Sequence, residues 1–162
     1  MWMTEEQKQS IGKALGRIPS GVFILTAKHQ SEQAAMMASW VQQVGFSPPA
    51  VSVAVAKGRP IGQMIRESKL LALSIIPSDD KTLMKHYARL KGTDDPFAGM
   101  NTSAAPSGVT ILSDALAWLD CKLINVHDFG GDHELFIAEI TNGHMAREGT
   151  AFAHQRGNGF HY

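Results

Sequence analysis

The chain has 162 residues, 44% hydrophobic and 19% charged, and its 15 Lys plus Arg balance 15 Asp plus Glu for a formal net charge of zero. These proportions suit a folded domain long enough to close a hydrophobic core, and we expect one domain spanning residues 1–162. A neutral chain without a basic run has no field to draw nucleic acid, and no apolar stretch approaches the roughly 18 residues that span a bilayer, so neither nucleic acid nor a membrane is an expected partner.

Thr4 and Gln7 have the spacing of a capping box, which predicts a helix through Ile11, Ala14 and Leu15 to about Ile18, stopped by Pro19-Ser20-Gly21. Gly21 to Ala27 is β-rich and reads as a buried strand, followed by a polar turn over His29 to Gln33. Ala35 to Phe46 is a further extended run, broken at Pro48-Pro49 because neither proline can donate to a ladder. Val51 to Ala56 alternates strictly, with Val51, Val53 and Val55 on one face and only Ser52, Ala54 and Ala56 on the other. A face carrying nothing larger than Ser and Ala leaves room for something flat to lie against it.

Pro60 suits the first position of a helix to about Glu67, and Leu70 to Ile76 is the next strand. Ser78 is placed to cap a helix with Asp79 and Asp80 in its first turn, carrying Leu83, Met84 and Tyr87 inward as far as Leu90. Lys91 to Ser107 is polar and aperiodic, the pattern of a long loop. Ala115 to Leu123 is a strand with Leu119, Cys121 and Leu123 on one side and Trp118, Asp120 and Lys122 on the other. Gly130-Gly131-Asp132-His133 reads as a hairpin turn, Glu134 to Ile140 as the returning strand, and Arg156 to Tyr162 as a terminal strand or arm. Six or seven strands with two or three short helices point to a mainly β fold, a barrel with helical caps.

The strongest local signal is Lys57-Gly58-Arg59-Pro60, where two cations and a glycine precede a helix whose first N–H groups lack partners, an arrangement that binds anions. The same residues also suit a solvated turn. No P-loop or Rossmann glycine spacing occurs, and the seven histidines form no metal signature, so no metal site is expected. Ser39 and Trp40, next to the small-residue strand, could offer a hydroxyl and a ring to a planar ligand or fill an ordinary half-buried strand. His133 stands at a strand end, where barrels place ligand-facing groups, and His154 is second to it. Cys121, the only cysteine, reads as a small core residue; the reducing cytoplasm is the expected compartment. From the residues alone, the reading reaches a β-barrel that binds a planar, phosphate-bearing ligand.

Several blocks then resemble the flavin reductase-like family in order along the chain: Gly-Val-Phe-Ile-Leu-Thr-Ala at 21–27, Met-Ala-Ser-Trp-Val at 37–41, Phe-Ser-Pro-Pro-Ala-Val at 46–51, Ala-Lys-Gly-Arg-Pro at 56–60, Ala-Trp-Leu-Asp-Cys at 117–121 and Gly-Asp-His-Glu-Leu-Phe at 131–136. They are similar in flavour to the flavin reductase domain fused to cyanobacterial flavodiiron proteins. The resemblance implies an FMN-binding split β-barrel, a homodimer, and FMN (or FAD in its place) reduced by NAD(P)H for an oxygenase or other electron-acceptor protein. It also allows a second reading, a flavin-binding electron-transfer module with no fast NAD(P)H step of its own. By position it implies that Met37, Ala38, Ser39 and Trp40 line the flavin ring. Ala56, Lys57, Gly58 and Arg59 would lie at its phosphate, with His154 near the ring and His133 as the residue acting in hydride transfer. Where relatives carry a Thr/Ser-rich block, this chain has Met36-Met37-Ala38-Ser39, which leaves Ser39 as the hydroxyl donor.

Overall fold

A computed structural model describes residues 2–161; Met1 lies outside them, as does Tyr162, the end of the expected terminal arm. Eleven strands and three helices are present among the described residues. Helix α1 (Glu5–Leu15) opens with the expected capping box, Thr4 accepting from the Gln7 N–H and Gln7 accepting from the Thr4 N–H. It ends at Leu15 rather than Ile18, with Gly16 as its cap. Strands β1 (Ser20–Gly21), β2 (Phe23–His29) and β3 (Glu32–Ala38) follow, then β4 (Val41–Phe46) and β5 (Pro49–Ala56). The extended run read over 35–46 is thus two strands, interrupted at Ser39-Trp40.

Helix α2 (Pro60–Ser68) leads into β6 (Leu70–Ile75). Helix α3 (Thr82–Arg89) starts later than the sequence suggests, with Lys81 rather than Ser78 as its cap residue. The Ser78 N–H donates to Thr150, the Asp79 carboxylate pairs with Arg147 at 2.7 Å, and Asp80 Oδ1 accepts from the Thr82 N–H at 2.8 Å. The expected loop 91–107 contains β7 (Thr102–Ala104), paired with β8 (Thr110–Leu112). Strand β9 (Ala117–His127) returns as β10 (His133–Met145), which runs past Ile140. The terminal strand, β11 (Ala153–His154), lies earlier than Arg156 and pairs with β1.

Seven strands form one antiparallel sheet in the order β3-β2-β6-β9-β10-β5-β4. The two edge strands are consecutive in the chain and joined only by Ser39-Trp40, a link that reaches about 11 Å at most. Its edges must therefore curl toward one another, into a barrel split between β3 and β4. The Trp40 carbonyl, which accepts from the Ala54 N–H at 3.0 Å, holds the link against β5.

Strands β2 and β6 are buried on both faces, which explains their near-continuous apolar sequences. Their inner face joins Val53, Val55, Ile65 and Phe136 in the barrel core. Their outer face is covered by α3 and β8 through Leu83, Tyr87 and Leu112. Asp120, on the side of β9 opposite Cys121, is fully buried. Its carboxylate accepts from the Ser107 N–H (2.9 Å) and hydroxyl (2.6 Å), which supplies the hydrogen bonds that a buried acid needs. No helix among the described residues is long and apolar enough to cross a membrane.

Candidate functional site

Strand β5 forms the floor of the site. Val51, Val53 and Val55 point inward and are at most 4% exposed, while Ser52, Ala54 and Ala56 are only partly covered on the opposite face. Above Ala54 and Ala56 lies a cleft of about 330 Å³, whose walls come from the end of β3, the Ser39-Trp40 link, the start of α2, the start of β10 and β11. Met37, Ala38, Ser39, Trp40, Ala56, Arg59, His133 and His154 all line it. Two further candidates do not. Lys57 reaches away and pairs with Asp128 at 2.8 Å, and Gly58, at φ +80°, forms the turn into α2.

Arg59 is the cap residue of α2, supplies no side-chain capping bond, and precedes Pro60 at the first helical position. The helix start, with its positive dipole end, thus lies beside a guanidinium at the cleft's edge, a setting for a bound anion. The Asp128 carboxylate is held below the usual carboxylate range by the hydrogen bond from Lys57, so this pair persists at neutral pH.

His133 is the first residue of β10, opposite Ala56, rather than part of the hairpin turn. The Lys57 N–H donates to the Asp132 carbonyl at 2.9 Å, and this bond extends the β5–β10 pairing one residue further. The His133 ring lies 4.8 Å from that of Trp40, and its Nδ1 is 2.9 Å from the Asp132 carboxylate. That hydrogen bond, followed by the charge of the ring, lowers the Asp132 pKa. With Nδ1 engaged, the orientation of the imidazole is fixed. His154 Nδ1 is buried and has no hydrogen-bond partner among the described residues. A buried polar atom left unpaired in a lined cleft fits a ligand that brings the missing partner.

Val22, Met84 and Phe152 complete the lining and were not singled out in the sequence. Met84 carried one signal, its place on the inward stripe of α3. Val22 and Phe152 carried none, since only the β1–β11 pairing brings them to the cleft. Cys121 is fully buried, and burial pushes its thiol up to about 12, with Asp120 contributing, so it is a core residue and not a nucleophile.

The fold is shared with solved flavin reductase structures. Component B of nitrilotriacetate monooxygenase from Mycobacterium thermoresistibile superposes with a TM-score of 0.81 at 23% identity, over 90% of this chain and 80% of that one. The NADH:FAD oxidoreductase of Streptomyces globisporus C-1027 gives 0.78 at 26% identity, over 90% and 86%.

The chain belongs to the flavin reductase-like domain family, whose model matches residues 15–160. Diflavin flavoprotein A 1 of Synechocystis sp. (strain ATCC 27184 / PCC 6803 / Kazusa) is 39% identical over 153 residues, 93% of this chain. The match takes up 26% of that relative's length, so the chain corresponds to about a quarter of the curated relative.

Proposed function

We propose that this chain is an NAD(P)H-dependent flavin reductase, a single domain over residues 1–162 that holds FMN, or FAD in its place, and passes electrons to an oxygenase or another acceptor protein. One observation carries the reading: a cleft with a flat Ala54–Ala56 floor joins a cation at a helix start to a Trp40–His133 pair. The flavin, when bound, supplies the hydride-accepting ring chemistry. The protein's part is placement. Ala54 and Ala56 let a planar ring approach the backbone, Arg59 meets a phosphate, and the His154 nitrogen offers a buried hydrogen bond. His133, oriented by Asp132, fixes the donor beside the ring, because hydride transfer needs reacting atoms within roughly 3–3.5 Å.

A homodimer fits the same reading. Edge strand β4 presents Phe46 at 91% exposure and Val44 at 51%, an apolar edge that a second copy would cover. The cytoplasm, where reduced nicotinamide nucleotides are held, is the proposed setting.

The test is a flavin titration followed by anaerobic mixing with NADH and with NADPH. The reading expects bound flavin that bleaches with one of the two. Bleaching only by a reduced partner protein would make the chain an electron-transfer module instead. The His133→Ala variant should keep its flavin but lose about tenfold in reduction rate by stopped flow, close to 1.4 kcal/mol of transition-state stabilisation.

A further inference from the structure

Three of the chain's eight methionines line the cleft, Met36 and Met37 at the end of β3 and Met84 on α3, so thioethers are concentrated at this site. They differ in cover. Met36 packs against the barrel core, and Met84 against the apolar cluster between the sheet and α3. Met37, paired with Ile24 of β2, remains 36% exposed. Met145, at the end of β10, is 52% exposed but takes no part in the cleft wall. A thioether needs no deprotonation before it is oxidised, so access decides which methionine reacts.

We propose that Met37 is a modification site, at which hydrogen peroxide turns the thioether into a sulfoxide and thereby weakens flavin binding. The sulfur lone pair attacks one peroxide oxygen, and the O–O bond breaks as the S–O bond forms. The departing hydroxide takes the proton of the transferred hydroxyl and leaves as water. Sulfur loses two electrons and the peroxide gains them. The product is polar and chiral, with an oxygen that accepts hydrogen bonds. The same wall includes Val22, Ala38 and Phe152, so a ring that displaces water from it would leave that oxygen buried and unpaired, which is unfavourable. The source of the oxidant rests on the reductase reading above. A reduced flavin that meets dioxygen before its acceptor protein gives up two electrons and two protons, and hydrogen peroxide forms in the cleft itself. Turnover without an acceptor then loosens the flavin, which limits further peroxide.

Two measurements separate the site from the source. In the first, flavin-free protein is treated with hydrogen peroxide, its peptides are weighed by mass spectrometry, and FMN is titrated by fluorescence. The parent should gain an oxygen at Met37 and bind FMN about tenfold more weakly. Methionine sulfoxide reductases of both stereospecificities should restore the affinity. Met37→Leu should bind FMN equally before and after treatment, whereas Met145→Leu should lose affinity as the parent does. An unmodified Met37, an unchanged affinity in the treated parent, or an equal loss in Met37→Leu overturns the proposal. In the second measurement, the FMN-loaded parent turns over NADH or NADPH in air, with catalase removing peroxide that has left the cleft. Met37 should gain oxygen while the more exposed Met145 does not; the opposite order overturns the internal source. If peroxide acts as stated but neither nucleotide bleaches the flavin, the site stands and the reductase reading falls. If a nucleotide bleaches the flavin but Met37 resists peroxide, the reading stands and the site falls.

Discussion

The two faces of β5 are eight residues of one backbone with opposite duties. The inner face carries Val51, Val53 and Val55, packed against Leu25, Leu73 and Phe136 with almost no exposure. The outer face carries Ser52, Ala54 and Ala56, and the last two form the floor of the cleft. On the first face bulk stabilises the fold; on the second, lack of bulk makes the site. One strand can do both because successive side chains point to opposite sides, so each set can vary without displacing the other.

The largest expected effect lies on the inner face. Phe136→Ala, at a fully buried ring, should cost about 3–5 kcal/mol in urea unfolding. Flavin affinity of the protein that stays folded should change much less. If both fall together, the two faces are not independent.

At the cleft's edge, Arg59→Ala should weaken FMN by about 1.5–3 kcal/mol through loss of a charge-assisted contact, with riboflavin affinity unaffected. Lys57→Ala should cost about 0–1 kcal/mol, since Lys57 pairs with Asp128 outside the cleft. Fluorescence titration of the two variants separates them, and equal losses would return Lys57 to the phosphate.

Ala54→Leu adds bulk to the outer face alone. It should leave the unfolding midpoint close to the parent while weakening flavin by about 1–3 kcal/mol, the usual cost of overfilling a fitted space. A variant that binds flavin normally would show that the ring lies elsewhere.

The last expected effect concerns alkaline pH. The folded Cys121 thiol is raised to about 12, above its unfolded value of about 8.5. Its contribution to stability is therefore complete below pH 8.5 and is lost as pH rises from there, by about 1.4 kcal/mol per unit. Buried Tyr87, also raised, acts in the same direction above about pH 10. Cys121→Ala should flatten the decline between pH 8.5 and 10 in thermal unfolding scans.

The sequence is readable where a pattern is local. The alternation of 51–56, the capping box at Thr4, and Pro60 at a helix start each depend on neighbours within a few residues, and each appears in the structure as read. The interruption at Ser39-Trp40 is not local: the run from Ala35 to Phe46 stays extended in composition, and only the need to join two edges of a curled sheet breaks it. Asp120 is hidden for the same reason, because the serine that satisfies it lies in the turn after β7, 13 residues away. Asp79 formed part of a sound cap in isolation, yet distant Arg147 took its carboxylate. At the candidate site, the residues on β3, β5 and α2 carried visible signals. Val22 and Phe152, delivered by long-range pairing, did not.

The Ser39-Trp40 link closes the sheet and also walls the cleft. Edge strands β3 and β4 have no sheet partner on their outer sides, so opening of the sheet would begin there. A ligand gripped by Ser39 and Trp40 on one side and by β5 on the other acts as a staple across that seam. Opening the seam would then require releasing the ligand, so amide protons along β3 and β4 exchange more slowly in the loaded protein, in proportion to ligand concentration over its Kd.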